Sequence, residues 1–178
     1  MHVTTRTAIG VLSAATLAGS AVGGVSAFGH NDNSQGGKGN QGRHNGATVF
    51  RSSVAPSLPG PPAIHGVNAG GLPWVLRSGE IRLRRGGRFE VRVRGLVIPN
   101  PPGDNTPGPV TTVSAALYCG ADTDMTAAAT TSQVPLSRSG NARIDQRVTL
   151  PSTCVAPIVL VHPNGIDGTY IALSGWRL

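Results

Sequence analysis

The chain has 178 residues, a formal net charge of +7 and two cysteines, and 4% of its residues are aromatic. Its mean hydropathy is -0.01, and after the first 27 positions no run reaches the roughly 18 apolar residues of a membrane span. The sequence therefore predicts no transmembrane span in the mature chain, and its length allows a single domain.

The first 27 residues have the pattern of a secretory signal peptide. One arginine, Arg6, precedes a run of small and apolar residues from Ala8 to Val25, which closes on Val25-Ser26-Ala27. This ending resembles an A-x-A cleavage site, so we expect the mature protein to begin at Phe28 and to be secreted or associated with the cell wall. The alternative, a retained anchor, is disfavoured because the run is short and rich in Gly, Ser, Thr and Ala.

Residues 28–62 are predicted to be a linker. From Phe28 to Thr48 the chain is mostly Gly, Asn, Gln and His, and Ala55 to Pro62 carries four prolines. The first segment has too little apolar surface to offset its ordering entropy, and the second favours extended backbone. We therefore expect one folded domain over residues 63–178.

The predicted domain contains strands separated by Pro- and Gly-rich turns, and no window shows a helical apolar stripe. In chain order the predicted strands are Leu72–Arg77, Glu80–Arg84, Arg88–Ile98, Val110–Cys119, Val134–Ser137, Ala142–Leu150, Ile158–His162 and Thr169–Arg177. This density of short strands predicts an all-β fold, a single antiparallel β-sandwich that is Ig-like in general architecture.

The clearest local prediction is a hairpin around Gly86-Gly87. A three-residue loop, 85–87, pairs Leu83 with Phe89 and Ile81 with Val91, which places all four side chains on one face. The same register sets Arg82 against Glu90 and Glu80 against Arg92, whereas a two-residue loop would mix apolar and charged faces. A register in which the two residue numbers of each pair add up to a value larger or smaller by two also keeps the apolar and the charged residues on separate faces.

Two later predicted strands contain residues that need particular neighbours in the fold. In Ala142–Leu150 the residues alternate between the core and solvent, but Gln146 falls on the inner face and would need a hydrogen-bond partner there. Ile158–Val161 is apolar on both faces. Its second face therefore needs cover from a loop, from the N-terminal segment or from another subunit.

Cys119 and Cys154 are the only cysteines, and both lie at the ends of strand-like runs. In an exported protein an even number of cysteines predicts a disulfide, here a structural bond between two strand ends. Closing a loop of this length stabilises a fold by about 4 kcal/mol in the chain-entropy model. Neither CxxC nor HxxxH spacing is present, which argues against a metal pair.

The arginines of the predicted hairpin are the sharpest surface feature. Arg82, Arg84, Arg92 and Arg94 alternate with the apolar set and should share the outer face. Such a surface could bind an anionic polymer, for example a cell-wall polyanion, extracellular DNA or an acidic polysaccharide. The alternative is an ordinary solvated face, whose charges prevent edge-to-edge pairing, and the absence of interleaved aromatic residues favours it.

Other chemically interesting residues give weaker signals. His65 and His162 lack a recognisable nucleophile and are expected to be structural. Asp122 and Asp124, with Asp104 and Asn105, do not form a dense calcium loop. Trp74 and Trp176 are expected in the core. We therefore assign no catalytic, cofactor-binding or metal-binding residue, and we expect no cofactor.

The stretch from Gly71 to Arg177 resembles uncharacterised small secreted β-domain proteins of actinobacteria. The segments that carry the resemblance are LPWVLRSGEIRLRRGGRFEVRVRGLV, PVTTVSAALYCG, VPLSRSGNARIDQRVTLPSTCVAPIVLVHPNG and TYIALSGW. The resemblance implies export and a cysteine-bridged β domain but no activity. We expect a non-enzymatic binding or structural module. The alternatives are a hydrolase of wall polymers and an inhibitor that presents Pro99–Pro109 or Ala121–Ser132 to an extracellular enzyme.

Overall fold

The computed structural model describes residues 46–176, so the predicted signal peptide and the linker up to residue 45 lie outside the described residues. The strands are β1 (Thr48–Pro56), β2 (Asn68–Ala69), β3 (Ser78–Arg84), β4 (Arg88–Arg94), β5 (Thr112–Tyr118), β6 (Ala129–Thr130), β7 (Val134–Pro135), β8 (Ala142–Arg147), β9 (Ile158–Pro163), β10 (Thr169–Tyr170) and β11 (Ala172–Ser174). Among residues 46–176, no helix is long and apolar enough to cross a membrane.

Nine strands form one curled sheet in the order β6-β5-β9-β11-β1-β3-β4-β8, with β7 also paired to β5. The first part of β1 pairs with β3, and its last residues, Val54–Pro56, pair with β11, so β1 belongs to both halves of the sheet. The all-β, antiparallel prediction is confirmed. The Ig-like sandwich is not confirmed, because β1 joins the two halves into one curled sheet that resembles half of a barrel.

The concave side of this sheet encloses the main core. Alternating residues from β3, β4 and β8, such as Ile81, Phe89 and Ile144, meet Val113 and Val161 from β5 and β9 in one buried cluster. Period-2 alternation directs these side chains inward and leaves the charged residues of the same strands outside. Trp74 is also buried here, at 3% exposure, as expected.

The β3–β4 hairpin has the register preferred from the sequence. Leu83 pairs with Phe89 and Ile81 with Val91, while the charged residues between them face outward. The turn is closed by a hydrogen bond from the backbone N–H of Gly87 to the carbonyl of Arg84 (2.8 Å), and Gly87 has a φ of 79°. Glycine suits this position because residues with a side chain rarely adopt that backbone conformation.

The prediction of a linker over residues 28–62 is wrong for its last part, since β1 is an internal strand of the sheet. The polar inner residue Ser52 interrupts the expected alternation, and a bulge near Val49 shifts the register against β3. The predicted strand Leu72–Arg77 is also wrong. That segment makes only an isolated bridge, between Val75 and Val97.

The disulfide between Cys119 and Cys154 is present, as predicted. It lies next to the end of the β5–β9 ladder at which Tyr118, the last residue of β5, pairs with Ile158, the first residue of β9. The outer face of these strands is covered by the same chain. Leu160 packs there with Val67 and Tyr170, which belong to the segment around β2 and to β10. The cover predicted for the apolar strand β9 is therefore a loop of this domain.

Candidate anion-binding surface

The outer surface of β1, β3, β4 and β8 is rich in arginine, and we call it the arginine face. Its arginines are Arg51, Arg82, Arg84, Arg88, Arg92, Arg94, Arg143 and Arg147, and its acids are Glu80, Glu90 and Asp145. The arginines exceed the acids by five. The faces of the hairpin therefore agree with the prediction, and β1 and β8 extend the charged surface on both sides.

The acids of this face are neutralised by some of its arginines. Glu80 forms ion pairs with Arg51 (2.6 Å) and Arg82 (2.8 Å), and Glu90 with Arg84 (3.2 Å) and Arg88 (3.4 Å). The hydrogen bonds from Arg82, and then from Arg51, hold the pKa of Glu80 below its ordinary value. Two of the four predicted binding residues, Arg82 and Arg84, are thus already engaged with carboxylates.

Asp145 organises the β8 side of the same face. Arg88 donates two hydrogen bonds to its carboxylate, from Nε to Oδ1 (2.8 Å) and from Nη2 to Oδ2 (2.7 Å). Arg143 adds a longer contact of 3.2 Å. The bidentate hydrogen bonds from Arg88 are the main reason why the pKa of Asp145 is lowered. These pairs lie near the surface, so each contributes little to stability.

Arg92 and Arg94, the other two predicted binding residues, form no ion pair within residues 46–176. They line a groove of about 630 Å³ together with Arg77 and Arg143. We call this the arginine groove. All four arginines are exposed, and no acidic residue of the described chain lines the groove. Arg77 and Arg143 were not among the predicted site residues.

The strand register explains why positive charge accumulates at the arginine groove. Arg92 lies directly opposite Arg143 across the β4–β8 ladder, and the backbone N–H of Arg77 donates to the carbonyl of Arg94 (3.0 Å). Like charges directly opposite each other in a sheet destabilise it. Glu80 lies opposite Arg92 on its other side and Asp145 contacts Arg143, so an anion between these guanidinium groups would relieve the part of the repulsion that these acids leave.

The two histidines of the domain have structural contacts. The Nδ1 of His65 lies 2.7 Å from the Asp124 carbonyl, and its ring stacks on Tyr118 at 5.0 Å. His162 is fully buried, and its Nδ1 donates to the carbonyl of Thr169 (2.8 Å). Burial lowers the pKa of His162, although the Thr169 carbonyl and the charge of Asp167 act in the opposite direction. In both histidines the hydrogen-bond partner of the ring is a backbone carbonyl, which cannot act as a nucleophile.

The acidic loops considered for calcium bind their own protein groups. Asp122 accepts a hydrogen bond from the backbone N–H of His65, and Asp104 accepts two from Thr106. Within residues 46–176, no three His, Cys, Asp or Glu side chains come together in a group that could hold a metal ion. The hydrogen bonds that the carboxylates of Asp122 and Asp104 accept therefore stabilise the loops of this domain.

Trp176 was expected in the core, and this prediction is wrong: its side chain is 77% exposed. The last strand ends at Ser174, and Gly175 anchors the backbone by donating to the carbonyl of Ser53 (3.0 Å). Trp176 follows this anchor and therefore lies beyond the sheet.

Comparison of the chain with models of protein families, with curated proteins and with solved structures finds no match.

Proposed function

We propose that the protein is a non-enzymatic module that binds anionic polymers through the arginine groove. The observation that carries this proposal is the grouping of four exposed arginines around one groove whose lining, within residues 46–176, contains no acidic residue; of the four, Arg143 also contacts Asp145 outside the groove lining. Planar guanidinium groups suit phosphate, sulfate and carboxylate, to which they can donate two parallel hydrogen bonds. The bound species is a polymer with repeated anionic groups, because the charged face continues beyond the groove along β4 and β8.

The rest of the arginine face supports the same function. Arg147 on β8 forms no ion pair within residues 46–176 and adds a further positive charge, while the ion pairs around Glu80 and Glu90 hold the neighbouring guanidinium groups in place. A face with a charge excess raises the local concentration of anionic polymer before any specific contact forms. The ion pairs of Glu80 and Glu90 thus keep the neighbouring side chains of the arginine face in a fixed conformation.

We also propose that the protein works outside the cell, attached to or near the wall, after removal of residues 1–27. The signal-like sequence and the disulfide support this proposal. The intact mass of protein recovered from culture medium tests it. A chain that begins at Phe28 is expected, and a mass that retains residues 1–27 would contradict the proposal.

The binding function is tested by titrating the full chain with heparin and with double-stranded DNA at several salt concentrations. Each neutralised phosphate releases counterions, so the logarithm of the DNA-binding constant should fall linearly with the logarithm of salt concentration. Four groove arginines predict a slope of about -3 to -4 for DNA. Absence of binding at low salt would contradict the function.

A further inference from the structure

A second groove lies where β1 changes its pairing partner. Ser53 is the last residue of β1 that pairs with β3, and Val54 is the first that pairs with β11. The groove has a volume of about 350 Å³, within the range of about 300–1,000 Å³ that is usual for ligand sites. We call it the junction groove. It is lined by Arg51, Ser52, Ser53, Gly79 and Glu80.

An exposed tryptophan follows directly on a contact with this groove. The backbone N–H of Gly175 donates to the carbonyl of Ser53 (3.0 Å), and the Ser53 hydroxyl donates to the carbonyl of Gly175 (2.8 Å). These two hydrogen bonds fix the chain at the edge of the groove immediately before Trp176, whose side chain is 77% exposed. Most of the indole therefore lies in water, where a ligand with an apolar face of its own would gain by covering it.

The charge of the junction groove indicates a neutral ligand. Of the described residues that line it, only Arg51 and Glu80 are charged, and they form an ion pair with each other (2.6 Å). Arg82 lies outside the lining and contacts Glu80 from its own strand (2.8 Å). The lining thus carries no net charge, in contrast to the arginine groove, whose four arginines favour an anion.

Hydrogen-bonding groups remain free in the junction groove. All the contacts that Arg51 and Arg82 make with Glu80 reach one carboxylate oxygen, Oε1. The other oxygen, Oε2, has no hydrogen-bond partner within residues 46–176. Arg51 uses its Nε and Nη2 in these contacts, which leaves the hydrogens of Nη1 available. A ligand rich in hydroxyl groups could therefore donate to Oε2 and accept from Nη1.

We propose that the junction groove and Trp176 bind a neutral carbohydrate chain of β-1,4-linked pyranose rings. Such a ring has a face of axial C–H groups, which can lie on the indole, and a rim of hydroxyl groups, which can bond to Glu80 and Arg51. The site is separate from the arginine groove, and it would exist whether or not the protein binds polyanions.

Quenching of tryptophan fluorescence by acrylamide in the full chain tests this proposal, with cellotetraose as the probe. The chain has two tryptophans, and because Trp74 is buried, the quenching reports mainly on Trp176. Cellotetraose should protect the indole from the quencher, and the protection should saturate as the sugar concentration rises. Because the sugar is neutral and releases no counterions, its binding constant should stay the same between about 50 mM and 200 mM salt.

Two matched pairs of variants locate the site by calorimetric titration with cellotetraose. Trp176→Ala should weaken binding about tenfold or more, whereas Ile166→Ala, at an exposed apolar side chain outside the groove, should not. Glu80→Gln should weaken binding about fivefold, because a hydrogen bond to a carboxylate is stronger than one to an amide. Glu90→Gln should not, since Glu90 also pairs with two arginines but does not line the groove.

A third variant separates this site from the proposed polyanion site. Arg92→Gln with Arg94→Gln alters the arginine groove and should leave the affinity for cellotetraose unchanged. The proposal would be overturned by a loss of cellotetraose binding in this double variant, by the absence of saturable protection of Trp176, by equal effects within either matched pair, or by a binding constant that falls steeply with salt.

Discussion

The side chain of Gln146 forms two hydrogen bonds with the backbone of Ser132: its Oε1 accepts from the N–H (2.8 Å) and its Nε2 donates to the carbonyl (3.1 Å). Gln146 belongs to β8, at one end of the sheet, and Ser132 lies between β6 and β7, which both pair with β5 near the other end. The amide side chain therefore substitutes for a strand-to-strand ladder and links the two ends of the curled sheet.

Gln146→Met should lower the free energy of unfolding by about 1–2 kcal/mol, because it removes both hydrogen bonds while keeping a side chain of similar length. Denaturant unfolding measures the change. Gln133→Met is a suitable control, since Gln133 is exposed and its side chain accepts one bond, from the Thr112 hydroxyl. Equal losses in the two variants would contradict the role given to Gln146.

The disulfide should contribute substantially to stability. Cys119→Ser or Cys154→Ser is expected to cost about 2–5 kcal/mol, because the oxidised bond restricts the unfolded chain between these positions. Denaturant unfolding of each variant, compared with the parent in oxidised and reduced form, measures the effect. A parent whose stability does not change on complete reduction would contradict this expectation.

Stability should depend on pH through His162. Because burial lowers the pKa of His162 in the folded state, the unfolded chain binds more protons as the pH falls below about 6.5. The neutral imidazole of His162 therefore allows full stability above that pH, and the free energy of unfolding should fall from pH 7 to pH 5. Glu80 and Asp145, whose pKa values are lowered, affect stability only at more acidic pH, where their carboxylates become protonated.

Thermal unfolding of the parent and of His162→Gln across pH 5–7 tests this dependence. Glutamine can still donate to the Thr169 carbonyl but does not titrate, so the variant should show a smaller change in midpoint between pH 7 and pH 5. The same pH dependence in both proteins would show that His162 is not its source.

The sequence was most informative where alternation was strict. In the β3–β4 hairpin, alternation excluded a two-residue loop and favoured the three-residue loop, although a register shifted by two also kept the faces consistent, and the structure has the favoured register. Gln146 was likewise identified as an inner polar residue that needed a partner. Its partner, Ser132, could not be predicted, because it depends on how far the whole sheet curls.

The sequence failed where tertiary pairing overrides local pattern. β1 has Ser52 on its inner side and Pro56 at its end, so it reads as a polar, proline-containing segment, yet pairing with β3 and β11 makes it an internal strand. This error removed Arg51 from the candidate surface. The alternation also could not show which arginines were free, because Arg82 contacts Glu80 of its own strand in preference to the facing Glu90.

Arg92 and Arg94, which form no ion pair within residues 46–176, are expected to bind polyanions at the groove, and the paired Arg82 and Arg84 next to them are not. The most direct measurement compares heparin and DNA affinities of two double variants at the same low salt concentration. One is Arg92→Gln with Arg94→Gln, and the other is Arg82→Gln with Arg84→Gln. Both remove two charges from outward side chains of the same hairpin, and circular dichroism checks that both fold.

The groove variant should lose most of the affinity and reduce the magnitude of the salt slope for DNA by about 2, whereas the other variant should lose much less. Replacing all four arginines with Gln should abolish binding and leave the fold intact. Equal losses in the two double variants would mean that binding follows total charge alone, and unchanged binding by the quadruple variant would show that the arginine face is ordinary solvated surface.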